Sequence, residues 1–330
     1  MDVQDIFTDY SQELKTVEAR LMDIFGSNVF LIPLIGSHIL SSGGKRIRPL
    51  FLLLSADLCG YKGENRMLLA AIVEAIHTAS LLHDDVIDGA ETRRGRKTSH
   101  ALWGNPIVIL VGDYLYSNAL RLAVAQGSQK IMESLSESTT RMTEGEILQL
   151  HKTGDPEITQ EEYFQIIAAK TGGLISAACR IGAVLAGETE EREQALTRFG
   201  MKTGIAFQLA DDVLDYVARQ EDLGKRLGKD LGEGKITMPL IHLLRVASEA
   251  EKEEIKEIIA EASRAGENNC SSSGLARIME LFSRYDAIEE SLKVARNLVD
   301  EAKAELDIFP SSAHKDAILA MAEYAMQREK

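Results

Sequence analysis

Two apolar stretches of helical periodicity, each closed by the same acidic signature, constrain this chain more than anything else in it. Residues 67–87 read MLLAAIVEAIHTASLLHDDVI, and residues 201–217 end alike. Asp84-Asp85-Val86-Ile87-Asp88 and Asp211-Asp212-Val213-Leu214-Asp215 both follow DDxxD. A helix that is apolar nearly all round is buried on every side. The 67–87 run is therefore expected as a central core helix, and residues 106–125 and 201–217 have similar character. Residues 188–198 and 249–263 carry charge on one face and should lie outside. Thr159 followed by Glu162 predicts a helix start with a capping box. Alternating β-type runs are essentially absent and only 6 prolines interrupt the chain, so the fold class is all-α.

Loops are expected at residues 41–44, 89–98, 152–157, 221–235 and 266–274. The last, GENNCSSSG, divides helices of similar character and reads as a flexible surface loop within a single domain spanning 1–330. The 330 residues suffice to bury a large core. A net charge of −14 argues against nucleic acid as a partner. Three dispersed cysteines, Cys59, Cys179 and Cys270, exclude a disulfide framework and a structural zinc site, and fit a reducing cytoplasm. The acidic start MDVQDIFTDY is unlike a signal peptide, and no unbroken apolar window of about 18 residues is present, so a cytoplasmic, soluble protein is expected.

On a helix, residues i and i+4 share a face about 6 Å apart, which pairs Asp84 with Asp88 and Asp211 with Asp215. Acidic caps belong at helix N-termini, whereas these clusters sit near C-terminal ends, where the dipole opposes them. Carboxylates gathered at a buried helix end cost on the order of several kcal/mol per uncompensated ion, so a cation must be supplied. Hard divalent ions, Mg²⁺ above all, suit all-oxygen ligands completed by phosphate. Basic groups lie where an anion would need them. Gly43-Gly44-Lys45-Arg46-Ile47-Arg48-Pro49 opens a helix with free amides and three cations. Arg93-Arg94-Gly95-Arg96-Lys97 follows the first acidic cluster, and Lys225, Lys229 and Lys235 follow the second. Taken singly, each could be a solvated loop; the pairing of acidic with basic clusters favours a metal–phosphate site.

Together GGKRIRP, LLHDDVIDGAETRRG, Lys170-Thr171, EGEILQL, FQLADDVLD and GKDLGEGK resemble the trans-isoprenyl diphosphate synthase (polyprenyl synthetase) family, nearest its bacterial long-chain, octaprenyl-diphosphate-synthase-like branch. The resemblance runs from about Lys45 to Pro239. It implies a large bundle of antiparallel helices around a central cavity, and a homodimer. It also implies that Lys45, Arg48 and His77, assisted by Arg94, hold the diphosphate of isopentenyl diphosphate. Asp84, Asp88 and Asp211 would carry Mg²⁺, about three ions by family pattern, on the allylic diphosphate. Asp85, Asp212, Asp215 and Asp230 would support those ions directly or through water. Arg93, Lys170, Lys225 and Lys235 would neutralise the allylic diphosphate, while Thr171 and Gln208 would line the reacting carbons. His77 lies seven residues before Asp84 on the same helix, which favours a substrate role over a core one; His83 reads as structural.

The implied chemistry is ionisation of the allylic diphosphate, attack by the double bond of isopentenyl diphosphate, and loss of a proton to the released diphosphate, with water excluded. Ala79 and Ser80 lie roughly 6–8 Å below Asp84 and are small, so a growing tail can pass; a product of thirty to fifty carbons, about C40, is expected. Their smallness also suits close helix packing. Leu120, Met142 and Leu148 are candidates for the floor. A shorter-chain synthase shares every catalytic residue. A class I terpene cyclase would turn over an allylic diphosphate alone, a non-catalytic subunit would lack aspartates or lysines, and a Ca²⁺-binding helical protein would not need GGKRIRP. Product release calls for transient membrane contact, and the C-terminal Gln327-Arg328-Glu329-Lys330 could close over the site.

Overall fold

The computed structural model describes residues 2–93, 95–217, 228–265, 272–324 and 326. It is almost entirely helical. In chain order the elements begin α1 (Val3–Asp9), α2 (Ser11–Ile24), α3 (Leu31–Ser41), α4 (Ile47–Leu58) and α5 (Asn65–Ile87). A two-residue hairpin follows, β1 (Thr92–Arg93) and β2 (Arg96–Lys97), then α6 (Ser99–Trp103), α7 (Asn105–Val124), α8 (Gln129–Lys152) and α9 (Gln160–Ile167). A π-helical turn (Ala168–Gly172) leads into α10 (Gly173–Ala186) and α11 (Glu190–Val217). The remainder is α12 (Lys229–Gly232), α13 (Met238–Val246), α14 (Glu249–Ala265), α15 (Ser272–Arg284), α16 (Ala287–Glu305), a 3₁₀ turn (Leu306–Ile308) and α17 (Ala313–Tyr324).

These elements form two compact units: Met1–Thr139 with Leu174–Gly200 and Leu306–Met321, and Thr140–Gly173 with Met201–Glu305 and Ala322–Lys330. In the first, α5 packs against α2, α4 and α7. Leu69, Ile72, Val73 and Ile76 are fully buried, as are Leu50 to Leu54 of α4. That sheath explains why α5 can be apolar on all sides. Helix α7 comes very close to α5: a Cβ on Gly112 would sit 2.3 Å from His83 Nε2, so any side chain there would displace the His83 ring. His83 Nε2 lies 3.1 Å from the Ile109 carbonyl and 3.4 Å from the Asp113 carboxylate.

Two expectations need correction here. Helix α7 buries Val108, Val111, Leu115, Ala119 and Ala123 but turns Ile109, Leu110 and Val124 outward, so it is one-sided rather than apolar-packed all round. Residues 188–198 are not wholly external either. Glu193 is buried because Lys130 Nζ (2.6 Å) and Arg180 Nε (2.9 Å) compensate its charge.

The core of the second unit gathers Ile158, Tyr163, Leu209, Tyr216, Leu240 and Phe282, with Tyr216 and Phe282 edge-on at 5.0 Å. Helix α14 contributes Ile255, Ile259 and Ala262, the i, i+4, i+7 stripe of an amphipathic helix. Thr159 and Glu162 cap α9 reciprocally, as expected. The 89–98 loop contains the antiparallel hairpin, with Thr92 opposite Lys97 and Arg93 opposite Arg96, too short to leave a period in the sequence. Of the expected 221–235 and 266–274 loops, residues 221–227 and 266–271 lie outside the described residues, as do Cys270, Arg94, Lys225 and Gln327 to Lys330; against expectation, Lys229–Gly232 is helical and Ser272 already begins α15. By length and composition, Asn65–Ile87, Asn105–Val124 and Gln160–Ala186 are each apolar enough to cross a bilayer; within the protein, 61%, 39% and 78% of their apolar windows are buried.

Candidate active site

Within the first unit, α5 ends at Ile87 and Asp88 is its C-cap. The helical pitch places Asp84 and Asp88 together, both partly exposed, and turns Asp85 inward, where it is buried. Its Oδ1 accepts from Arg93 Nε at 2.8 Å. Arg93 comes from β1, and Gly95 at φ 73° carries the hairpin round. The guanidinium expected to neutralise an allylic diphosphate is therefore already engaged with a motif carboxylate.

The glycine-rich segment turns through Arg46, whose backbone is left-handed (φ 51°, ψ 41°), directly into α4. Lys45 is exposed, Arg48 half-buried and Arg46 buried. Pro49, third in the helix, has no N–H to leave unsatisfied. His77 is partly buried on α5, with its carbonyl accepting from Ser80 Oγ at 2.8 Å. Ala79 is fully buried.

In the second unit the reacting-carbon candidates form one hydrogen-bonded chain. Thr171 Oγ1 donates to Gln208 Oε1 at 2.7 Å, Gln208 Nε2 donates to Asp212 Oδ1 at 2.8 Å, and Tyr163 OH donates to Asp212 Oδ2 at 2.5 Å. Thr171 can lie this close because the π-helical turn, a distortion frequent at functional sites, meets α11 through glycines. A Cβ on Gly204 would be 2.6 Å from Gly172 Cα. Lys170, on the same turn, reaches Glu146 Oε2 at 2.5 Å and Gln149 Oε1 at 3.0 Å. Leu148, beside them on α8, packs against the unit's core.

Asp215 Oδ2 accepts the Asp230 N–H at 2.9 Å, which fastens α12 to α11. Lys235 Nζ and Lys229 Nζ each lie 2.7 Å from Glu233. Burial pushes the Asp212 carboxyl up to about 6 and raises Asp215. Asp230 is pushed well above the usual carboxylate range by burial, then by the charges of Asp212 and Asp215. Crowded carboxylates that resist ionisation are a site asking for positive charge.

A common logic links the two motifs. In each, the second aspartate is buried and committed to protein donors, while the first and fifth occupy the more open helix face. Among the described residues, no three His, Cys, Asp or Glu side chains converge as a ready metal cage. Mg²⁺ takes one or two carboxylates and completes its shell with water and phosphate oxygens. The oxygen-only donors and the raised carboxyls fit such an ion.

Several participants escaped the sequence reading. Tyr163 and Glu74 stand in no motif, and Glu146 and Gln149, though within EGEILQL, had no role assigned to them. Gln208 lies four residues before Asp212, a spacing that does announce their pairing.

Comparison with known proteins completes the picture. A family model described as polyprenyl synthetase matches residues 31–272. Octaprenyl diphosphate synthase of Escherichia coli (strain K12) is 38% identical over 330 residues, covering 100% of both chains. A short chain isoprenyl diphosphate synthase of Methanothermobacter thermautotrophicus is 35% identical over 334 residues, covering 100% of this chain and 99% of its own. The solved structure of polyprenyl synthase from Caulobacter crescentus CB15, complexed with calcium and isoprenyl diphosphate, matches with a TM-score of 0.91 at 37% identity, over 100% of this chain and 98% of that one.

Proposed function

Because the chain belongs to the polyprenyl synthetase family, and is thus a prenyltransferase of the all-α isoprenoid synthase fold, we propose that it is a long-chain all-trans polyprenyl diphosphate synthase making about C40. It adds isopentenyl diphosphate repeatedly, head to tail, to an allylic diphosphate. Relatives named for heptaprenyl, octaprenyl and nonaprenyl products support the long chain. The observation that carries the reading is the Thr171–Gln208–Asp212–Tyr163 chain, which joins the candidate cation-stabilising groups to the second DDxxD.

Lys45, Arg48 and His77, with Arg94, bind the diphosphate of isopentenyl diphosphate. Asp84, Asp88 and Asp211 are the residues that would hold Mg²⁺, with Asp215 and Asp230 in support. When bound, that ion supplies positive charge to the departing diphosphate. Arg93, Lys170, Lys225 and Lys235 add to it. For Lys170 this means leaving Glu146 for the substrate; for Arg93 it means dividing its guanidinium donors between Asp85 and the diphosphate. Gln208 Oε1 and Thr171 Oγ1 present the negative ends of their dipoles to the allylic carbons as charge develops there. Asp212 and Tyr163 hold Gln208 in that orientation, and Asp85 holds Arg93. The apolar helices exclude water, which would otherwise quench the cation to an alcohol. The proton lost on closing the new double bond passes to the released diphosphate.

The chain acts in the cytoplasm as one prenyltransferase domain and a homodimer, touching a membrane to release its product; Ala79 and Ser80 leave the tail room to grow. Incubation with Mg²⁺, labelled isopentenyl diphosphate and farnesyl diphosphate, followed by chromatography, tests this. Products clustering near forty carbons are expected. Products stopping at twenty would make it a shorter-chain synthase, and turnover of farnesyl diphosphate alone would make it a cyclase.

A further inference from the structure

Arg46 stands between two residues assigned to the isopentenyl diphosphate site and takes no part in that assignment. It is nonetheless the most constrained residue of the segment. Among the described residues only Arg46 and Asp286 are non-glycine residues with positive φ. A long side chain is disfavoured there, because Cβ crowds the following carbonyl. The strain persists only where surroundings hold it. Here they do. The Arg46 guanidinium is buried, with Nε 3.0 Å from Glu18 Oε1 on α2 and Nη1 3.0 Å from Glu74 Oε1 on α5. Glu74 is itself only 7% exposed, so the pair is desolvated on both sides.

Position makes the pair informative. Glu74 is one helical turn before His77, and Arg46 lies between Lys45 and Arg48. A single ion pair therefore bridges the two segments that bring Lys45, Arg48 and His77, three of the four diphosphate-binding candidates. The Arg46 carbonyl also accepts the first bond of α4, from Leu50 N–H at 3.0 Å, so its backbone conformation sets where the helix begins.

We propose that Arg46 is a positioning residue for isopentenyl diphosphate: locked by Glu74 in a left-handed turn, it fixes Lys45, Arg48 and the α4 N-terminus relative to His77 without touching the ligand. This rests on the prenyl-transfer reading above. Removing one partner alone would strand a buried charge, so the decisive comparison uses two doubles, Arg46→Ala/Glu74→Gln and Arg46→Gly/Glu74→Gln. Both lack the ion pair, but glycine enters the left-handed region freely and alanine does not.

The alanine double should raise KM for isopentenyl diphosphate about tenfold, as expected for a lost backbone conformation, and leave KM for farnesyl diphosphate within about twofold. The glycine double should recover at least about a threefold part of that loss. Thermal midpoints report folding. Should the alanine double fail to fold, Arg46→Lys, which keeps a cation but not the two-pronged reach, should raise the same KM selectively. Parallel rises in both KM values, or identical glycine and alanine doubles, would overturn the proposal while wild-type turnover upheld the prenyl-transfer reading. Wild-type protein that neither condenses nor binds isopentenyl diphosphate by calorimetry would sink both.

Discussion

Replacing Tyr163 with Phe removes one oxygen from the middle of the second unit and tests whether Asp212 is a structural relay. The hydroxyl lies 2.5 Å from Asp212 Oδ2, with Tyr163 3% and Asp212 5% exposed. Phenylalanine fills the same space, so the perturbation is confined to the hydrogen bond. A bond to a charged group is worth about 1.5–3 kcal/mol, and here water cannot readily replace it. Asp212 would then keep the Gln208 hydrogen bond but lose its fixed orientation. If that energy is expressed wholly at the transition state, kcat falls about tenfold to a hundredfold, since 1.36 kcal/mol is tenfold in rate. KM for isopentenyl diphosphate, assigned to Lys45, Arg48 and His77, should hold within about twofold, because uniform binding is untouched. Single-condensation kinetics with a labelled substrate read both constants. Adding Gln208→Ala should cost much less than its effect alone, because members of one network are non-additive by about 0.5–3 kcal/mol. A Tyr163→Phe enzyme with unchanged kcat, or strict additivity in the double, would refute the relay.

Other expectations follow from the same geometry. Gly204→Ala forces a Cβ to within 2.6 Å of Gly172 Cα; overpacking of this kind costs about 1–3 kcal/mol, so thermal scanning should show a lower midpoint and kinetics a lower kcat as Thr171 is pushed from Gln208. Lys152, then the Thr159 amide, holds the Glu162 carboxyl down to about 2 against an ordinary 4.5. Its contribution to stability is therefore complete above about 4.5 and fades as pH falls towards 2. Acid titration of Thr159→Val, which breaks the capping box, should show a shallower loss across that window. Ala79→Tyr, introduced at a fully buried position of α5, should shorten the product on chromatography, and unchanged lengths would refute the tunnel assignment. The thiols of Cys59 and Cys179, pushed up to about 12 by burial, should resist alkylation in a Cys270→Ser background until the protein is denatured.

What the sequence made legible was whatever repeats along one helix. The apolar period of α5, the i, i+4 pairing of Asp84 with Asp88 and the Thr159–Glu162 box are all local, and all stand in the structure. What it concealed depends on segments meeting across the chain. Tyr163 and Asp212 are 49 positions apart, and Arg46 and Glu74 28, so nothing in either neighbourhood marks the contact. Glu193 looked like one more surface charge for the same reason, since its partners Lys130 and Arg180 come from α8 and α10. The two-residue hairpin is shorter than any period.

This division has a chemical reason. Motif residues that meet substrate can be recognised as a set because the ligand, not the fold, dictates their types and spacing. Groups that aim them answer to the local packing, and the same task falls to a tyrosine at Asp212 and an arginine at Asp85. The DDxxD pattern itself hides the distinction. Its second aspartate looks identical to its neighbours in the sequence, yet in both copies it is the buried one, held by side-chain donors. Exchanging that residue for asparagine should therefore disturb orientation, and with it kcat, more than metal affinity. The same exchange at Asp84 or Asp211 should shift the Mg²⁺ concentration needed for half-maximal rate, and finding the two effects reversed would refute the assignment of the first aspartates to the metal.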